Sequence, residues 1–372
     1  MPFNSNNRNS AFQGDVVELL TDLPKDNFKR GQRGTVVADF DEPAEAYDLE
    51  MQDESGTFAG FAYSVKPDQF VNLSRSAFVR AMEAVEKVNL VVAERELRTA
   101  TELRPDYIGS FVMSLLATLP DTVEQQGLED NVSYLIPLLR LANRIDPNYE
   151  FASSNLAVAF LNFGVAKAQR KNYLEAIELF YSALGIETDL ETETRIKTNL
   201  VMAFTTLGRE SFQNGRIEEG FGYIRTAFLI LQDKTTRRNL GLAYGNLGVF
   251  YMKSERFELA MEQFERAEDF GVVVAEFINA YGVCLVFLGR INGATQTFER
   301  VLVMDPANEN AKFNMSKLKQ FSNQRISIPD LKVFANQGFV ATEDLLDFDG
   351  RGLMTLAWRQ PQVSAREFVS VP

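Results

Sequence analysis

Between residues 74 and 307 the chain repeats one spacing of side chains six times, and this repetition limits its possible folds more than any single residue does. The first set is Ala93, Leu97, Ala100 and Pro105, inside the stretch Ser74 to Tyr107. The same places recur as Leu135, Leu139, Ala142 and Pro147, then Ala176, Phe180 and Ala183, then Gly220, Ile224 and Ala227. Two more sets follow, Ala260, Phe264 and Ala267, and finally Ala294, Phe298, Val301 and Pro306. Throughout, the apolar residues keep a period near 3.6, as helices with one buried face require. A small residue where two helices cross lets their backbones approach, a large one fills the gap a turn later, and proline stops the second helix. Gly164, Gly208, Gly248 and Gly282 each stand twelve residues before the small residue of a set, so each unit reads as a pair of helices. One such pair cannot bury its apolar face alone, and tandem pairs must stack.

This pattern resembles the tetratricopeptide repeat, whose second helix places small, large, small and turn-forming residues at this spacing. The resemblance implies a mainly α fold: a right-handed α-solenoid of about six helix pairs over residues 74–307. A capping helix over 308–321 should close it, with Lys312, Lys317 and Lys319 on its polar outer face. In three middle units the first-helix signature occurs twice, seven residues apart. These are Asn155-Leu156-Ala157 before Gly164, Asn199-Leu200 before Leu207-Gly208, and Asn239-Leu240-Gly241 before Asn246-Leu247-Gly248. Seven residues are close to two turns, so the helix lengthens while its packing face stays in place, which predicts first helices of about 20 residues. The polar stretch Pro120 to Asp130 reads as a loop.

Upstream, residues 13–73 have the texture of short strands, DVVELL, RGTVVADF, AYDLEM and TFAGFAYSV, bounded by turn residues. The Arg30 to Gly34 segment and Asp53-Glu54-Ser55-Gly56 read as tight turns. Five strands in about 60 residues predict a small SH3-like β-barrel. The DVVELLTDLP opening and the FKRGQRGTVV turn resemble an uncharacterised bacterial family of SH3-like domains, which carries no known activity. As far as Leu73 there are six Lys and Arg against thirteen Asp and Glu, a balance of −7. That acidity is either a solvated surface or an acidic docking face. Residues 1–12 read as a flexible lead.

Residues 322–372 break the helical pattern at Pro329, Gly338, Gly350, Gly352 and Pro361, leaving one short helix expected from Thr342 through Asp347. This extended tail nevertheless holds too many large apolar groups to leave in water. It is expected to dock through Leu345, Leu346, Phe348 and Trp358, either on its own chain or on a partner. Leu345 to Asp349 also matches an acidic-hydrophobic motif used with clathrin adaptors, a five-residue match that chance supplies often.

The composition removes most catalytic chemistry. The chain has no histidine, hence neither the commonest neutral-pH base nor the commonest transition-metal ligand. Cys284 is the only cysteine, so no intrachain disulfide or thiolate zinc cluster can form. It falls among apolar helical residues, where burial should raise its pKa. Gly241 to Gly248 lacks phosphate-loop spacing, and Asp347 to Gly350 lacks the further ligands of a calcium loop. No catalytic, cofactor or metal residues are expected; an enzyme here would have to work with carboxylates alone. A net charge of −13 argues against nucleic acid. No apolar run reaches the length of a membrane span, and the start has no signal-peptide core, so a soluble, cytoplasmic protein is expected.

What remains is binding. In the tetratricopeptide family, positions two, five, nine, twelve and thirteen of each first helix line a concave groove. Carried over, they give Leu161 and Val165; Met202, Arg209 and Phe212; Val249, Met252 and Lys253; and Asn279, Val283, Val286 and Phe287. The lysine and asparagine set with which family members clamp a peptide carboxylate is missing. A mainly apolar lining suits an amphipathic helix or an extended apolar segment. The alternative is that these side chains pack between helices. The resemblance implies a non-catalytic scaffold or linker that binds other proteins. Related proteins in oxygenic phototrophs extend that to subunits of a pigment–protein complex, a phycobilisome linker or a photosystem partner at the cytoplasmic side of the photosynthetic membrane. An assembly chaperone and a regulatory adaptor are the other readings.

Overall fold

The computed structural model describes residues 11–40, 45–116, 128–324 and Leu346. The chain divides into two compact units, mainly residues 1–163 and 164–355, so the boundary falls inside a helix.

In the first unit, β1 (Val16–Leu19), β2 (Arg33–Phe40), β3 (Ala46–Gln52), β4 (Phe58–Val65) and β5 (Phe70–Asn72) form one antiparallel sheet. Its order is β4-β3-β2-β1-β5. Side chains alternate between the two faces of a strand, and along β3 this places Tyr47, Leu49 and Met51 in the core with Val17, Leu19, Val36 and Phe70. At Gly34, β2 and β3 approach so closely that a Cβ would lie 2.7 Å from Met51 Sδ and 3.0 Å from the Glu50 carbonyl oxygen. The turn expected at Asp53 is present: its Oδ1 accepts from the amides of Ser55 (2.8 Å) and Thr57 (3.0 Å).

Strand β5 runs directly into helix α1 (Leu73–Glu86). Asn72 serves both, because its Oδ1 accepts from the Arg75 amide as an N-cap while its Nδ2 donates to Asp15. Helices α2 (Leu90–Leu103), α3 (Tyr107–Leu116) and α4 (Leu128–Ile145) follow, then α5 (Glu150–Gln169), which contains the unit boundary. The loop expected over Pro120 to Asp130 is shorter than predicted at its end, since α4 already begins at Leu128; its earlier part lies outside the described residues.

The second unit continues with α6 (Tyr173–Leu184), α7 (Leu190–Gln213), α8 (Ile217–Ile230), α9 (Lys234–Lys253), α10 (Phe257–Asp269), α11 (Ala275–Phe287), α12 (Ile291–Met304) and α13 (Glu309–Gln324). Here the repeated spacing has a direct mechanical meaning. A Cβ on Gly164, Gly208, Gly248 or Gly282 would lie 2.5–2.7 Å from Phe180, Ile224, Phe264 or Phe298, the large residue of the partner helix. The small and large residues of these sets are buried throughout. The doubled signatures give long first helices, with 20 residues in α5, 24 in α7 and 20 in α9. Pro105, Pro147 and Pro306 each stand two residues beyond a second helix, and α13 occupies the capping position.

Five hairpins close with the same turn. Val88, Lys171, Gly215, Glu255 and Gly289 have φ between 55° and 76°, and the amide after each reaches the carbonyl five residues back at 2.8–3.0 Å. This is the left-handed helix ending for which glycine is best suited. Each of these residues stands seven after a crossing residue, Gly164, Gly208, Gly248 or Gly282, with Ala81 in that place in the first hairpin.

Candidate functional site

Most of the twelve residues expected to line a groove are enclosed. Leu161, Val165, Met202, Phe212, Val249, Asn279, Val283 and Val286 are buried; Arg209, Met252 and Phe287 are half-buried; Lys253 is exposed. The first eight are therefore not an open lining in this state. The reasons are local. Phe212 turns into its own hairpin, where a Cβ on Gly220 would meet its ring at 2.7 Å. Val249, Val283 and Val286 join the core cluster of the second unit, and Asn279 accepts a hydrogen bond from Asn314 Nδ2 at 3.0 Å. Phe287 stacks on Phe257 with centroids 4.5 Å apart.

A buried polar group that groove geometry does not single out reaches a residue far along the chain. Asn246 is fully buried on α9, where Asn239, Asn246 and Lys253 fall at seven-residue intervals on one stripe. Its Oδ1 accepts from the main-chain N–H of Leu346 at 2.9 Å, and its Nδ2 donates to the Leu346 carbonyl at 2.8 Å. The half-buried Leu346 side chain packs against the core cluster of the second unit. Leu346 is not helical, which corrects the short helix expected through it: both of its main-chain groups are spent on Asn246. Leu345, Phe348 and Trp358 lie outside the described residues. The available signal was the residue type itself, since an asparagine inside an apolar helical stretch needs a hydrogen-bonding partner. Beside it, α9 and α11 are drawn together at Gly245, where a Cβ would fall 1.9 Å from the Phe277 ring.

Several ionisable groups of the second unit are shifted by their surroundings. Burial pushes the Cys284 thiol up to about 12, which favours its protonated form at neutral pH. Burial and a hydrogen bond to Glu265 push the Tyr281 phenol up to about 12. Hydrogen bonding from Arg300, at 2.6 Å, holds Glu268 below the usual carboxylate range. Among the described residues, no three acidic or cysteine side chains come together as a metal site, and no helix is long and apolar enough to cross a membrane.

In the first unit the sheet edge β4 exposes Phe58, Phe61 and Tyr63, with the first two rings 5.2 Å apart. These aromatic groups sit on the module where acidic residues outnumber basic ones.

Comparison with known proteins finds one family match in each unit. Residues 242–269, which are most of α9 with α10, match the model described as tetratricopeptide repeat. Residues 14–70, which hold the sheet, match the model described as Domain of unknown function (DUF4926). None of the curated proteins matches the chain. Solved structures similar to parts of it include PilF of Pseudomonas aeruginosa, at 13% identity over 68% of this chain and 97% of that one, with a TM-score of 0.24. The TPR domain of P58(IPK) is similar at 12% identity over 67% of this chain and 65% of that one, with a TM-score of 0.28. YrrB, a TPR protein with an unusual peptide-binding site, is similar at 17% identity over 58% and 96%, with a TM-score of 0.26. Likenesses of that size add no weight to the fold or the function.

Proposed function

We propose that this chain is a non-catalytic scaffold whose helix repeats bind another polypeptide. The observation that carries the reading is Asn246, a buried side chain on a first helix that spends its donor and its acceptor on the main chain of one distant residue. A side chain that pairs with both main-chain groups of one residue is suited to recognising polypeptide. The family match supports this, because tetratricopeptide repeats generally mediate protein–protein interactions. The missing histidine and the protonated Cys284 support the absence of turnover. The partner is an extended apolar segment or an amphipathic helix, and the SH3-like module is a second docking surface.

Affinity isolation of the full chain with crosslinking tests the proposal. A polypeptide retained at fixed stoichiometry is the expected result. Turnover of a small substrate at an ordinary enzymatic rate contradicts it. The finer reading, a linker in a light-harvesting assembly such as the phycobilisome, rests on resemblance alone. It requires recovery with the complete antenna in fixed ratio, whereas recovery only in assembly intermediates makes the chain a chaperone.

A further inference from the structure

We propose that Asn246 is a main-chain clamp whose resident ligand is this chain's own C-terminal segment at Leu346, so that the binding surface is occupied in cis and an outside segment must displace it. This deepens the scaffold reading, on which its function as a competitor rests. Three observations combine. The two hydrogen bonds join residues 100 apart in sequence, so they are tertiary contacts and not helix capping. Both are made to the backbone, the part of a polypeptide common to every residue except proline, which lacks the donor. Specificity for the occupant then comes from the Leu346 side chain, which packs on the core cluster built from α7 to α13.

A side-chain amide that pairs N–H and C=O of the same residue acts like a neighbouring strand. It holds an extended backbone without requiring a particular sequence beyond one aliphatic group. Any partner of that chemistry, an extended segment with a leucine-like residue, would meet the same donor, acceptor and apolar contact. The local segment has the advantage of being tethered, and tethering raises its effective concentration at the site. Occupation in cis therefore sets a threshold: a partner must bind more tightly than the tethered copy, or supply contacts elsewhere.

Hydrogen–deuterium exchange on the isolated full chain reads the clamp with no partner present, so its outcome is independent of whether a partner is ever found. The Leu346 amide is expected to exchange slowly. Asn246→Ala should speed exchange of the Leu346 amide by about two- to tenfold, as loss of its one hydrogen bond implies. Leu346→Ala keeps the amide but removes the apolar contact, and should speed its exchange while α9 to α11 keep their protection. That second variant decides the matter if Asn246→Ala loosens the repeat itself. A Leu346 amide that exchanges at the unprotected rate in the parent chain overturns the proposal, as does an amide at 346 that stays as protected in Leu346→Ala as in the parent. Protection that disappears on dilution, with a dimer seen by sedimentation, places the contact between two copies and overturns the cis assignment.

Discussion

Replacing Asp15 by alanine should destabilise the first unit more than any other single truncation of a polar residue there. Asp15 is fully buried, and its two oxygens accept from the Phe12 amide (3.0 Å), Asn72 Nδ2 (2.7 Å), Ser74 Oγ (3.2 Å), Arg104 Nη1 (2.9 Å) and the Tyr107 hydroxyl (3.0 Å). These donors come from the segment before β1, the end of the sheet, α1, the α2–α3 connection and the start of α3, so one carboxylate ties the sheet to the first helices. The Arg104 side chain is 11% exposed, and its other carboxylate, Asp106, is 3.5 Å away and 80% exposed. Removing one partner of a buried ion pair strands the other charge, at roughly 3–5 kcal/mol. Neutral donors left without an acceptor add about 1 kcal/mol or more each, less whatever entering water restores. A loss of about 5 kcal/mol is expected, on the order of 10–20 °C in Tm for a unit of this size. The assay is urea unfolding of the full chain, with amide exchange to assign the transition to the first unit. Asp15→Ala with Arg104→Met removes both charges and should cost less than Asp15→Ala alone. The reasoning is refuted if Asp15→Ala costs under about 1 kcal/mol, or if the double variant costs the sum of the two single ones.

Two further substitutions test the repeat geometry. Val88 is an exposed β-branched residue at φ 55°, in the turn position that Gly215 and Gly289 fill in other hairpins. Val88→Gly should raise stability in thermal unfolding by about 0.5–1 kcal/mol, since relief of strain exceeds the entropy glycine adds to the unfolded chain; a lower Tm would contradict the turn. Gly245→Ala should lower stability by about 1–3 kcal/mol despite better helix propensity, because its Cβ would collide with the buried Phe277 ring. A variant as stable as the parent would mean that α9 and α11 do not approach as described.

The helix pairs were legible in the sequence because the constraint is local and repeated. Gly248 and Phe264 must meet wherever a hairpin of this spacing forms, and six copies remove the ambiguity of one. The strands were legible for a similar reason: VVEL and AYDLEMQ alternate, and Asp53 with Gly56 marks a turn by its own chemistry. The groove was much less legible. Family positions say which way a residue points from its helix, but burial depends on what lies opposite, and Phe212, Val249 and Val283 face neighbours that pattern alone cannot place. Asn246 and Asp15 were missed as key groups because their roles are set by partners 100 and up to 92 residues away. Burial of a polar side chain hints at such a partner without naming it.

Position-resolved crosslinking of an isolated complex tests the central claim most directly, that the first-helix surface is where polypeptide binds. A photoreactive residue is placed at Lys253, exposed on the stripe of α9 that carries Asn246, and in a separate variant at Glu262, exposed on α10. The partner should crosslink from position 253 and not from 262. Crosslinks from 262 with none from 253 would put the binding surface on the second helices and contradict the account.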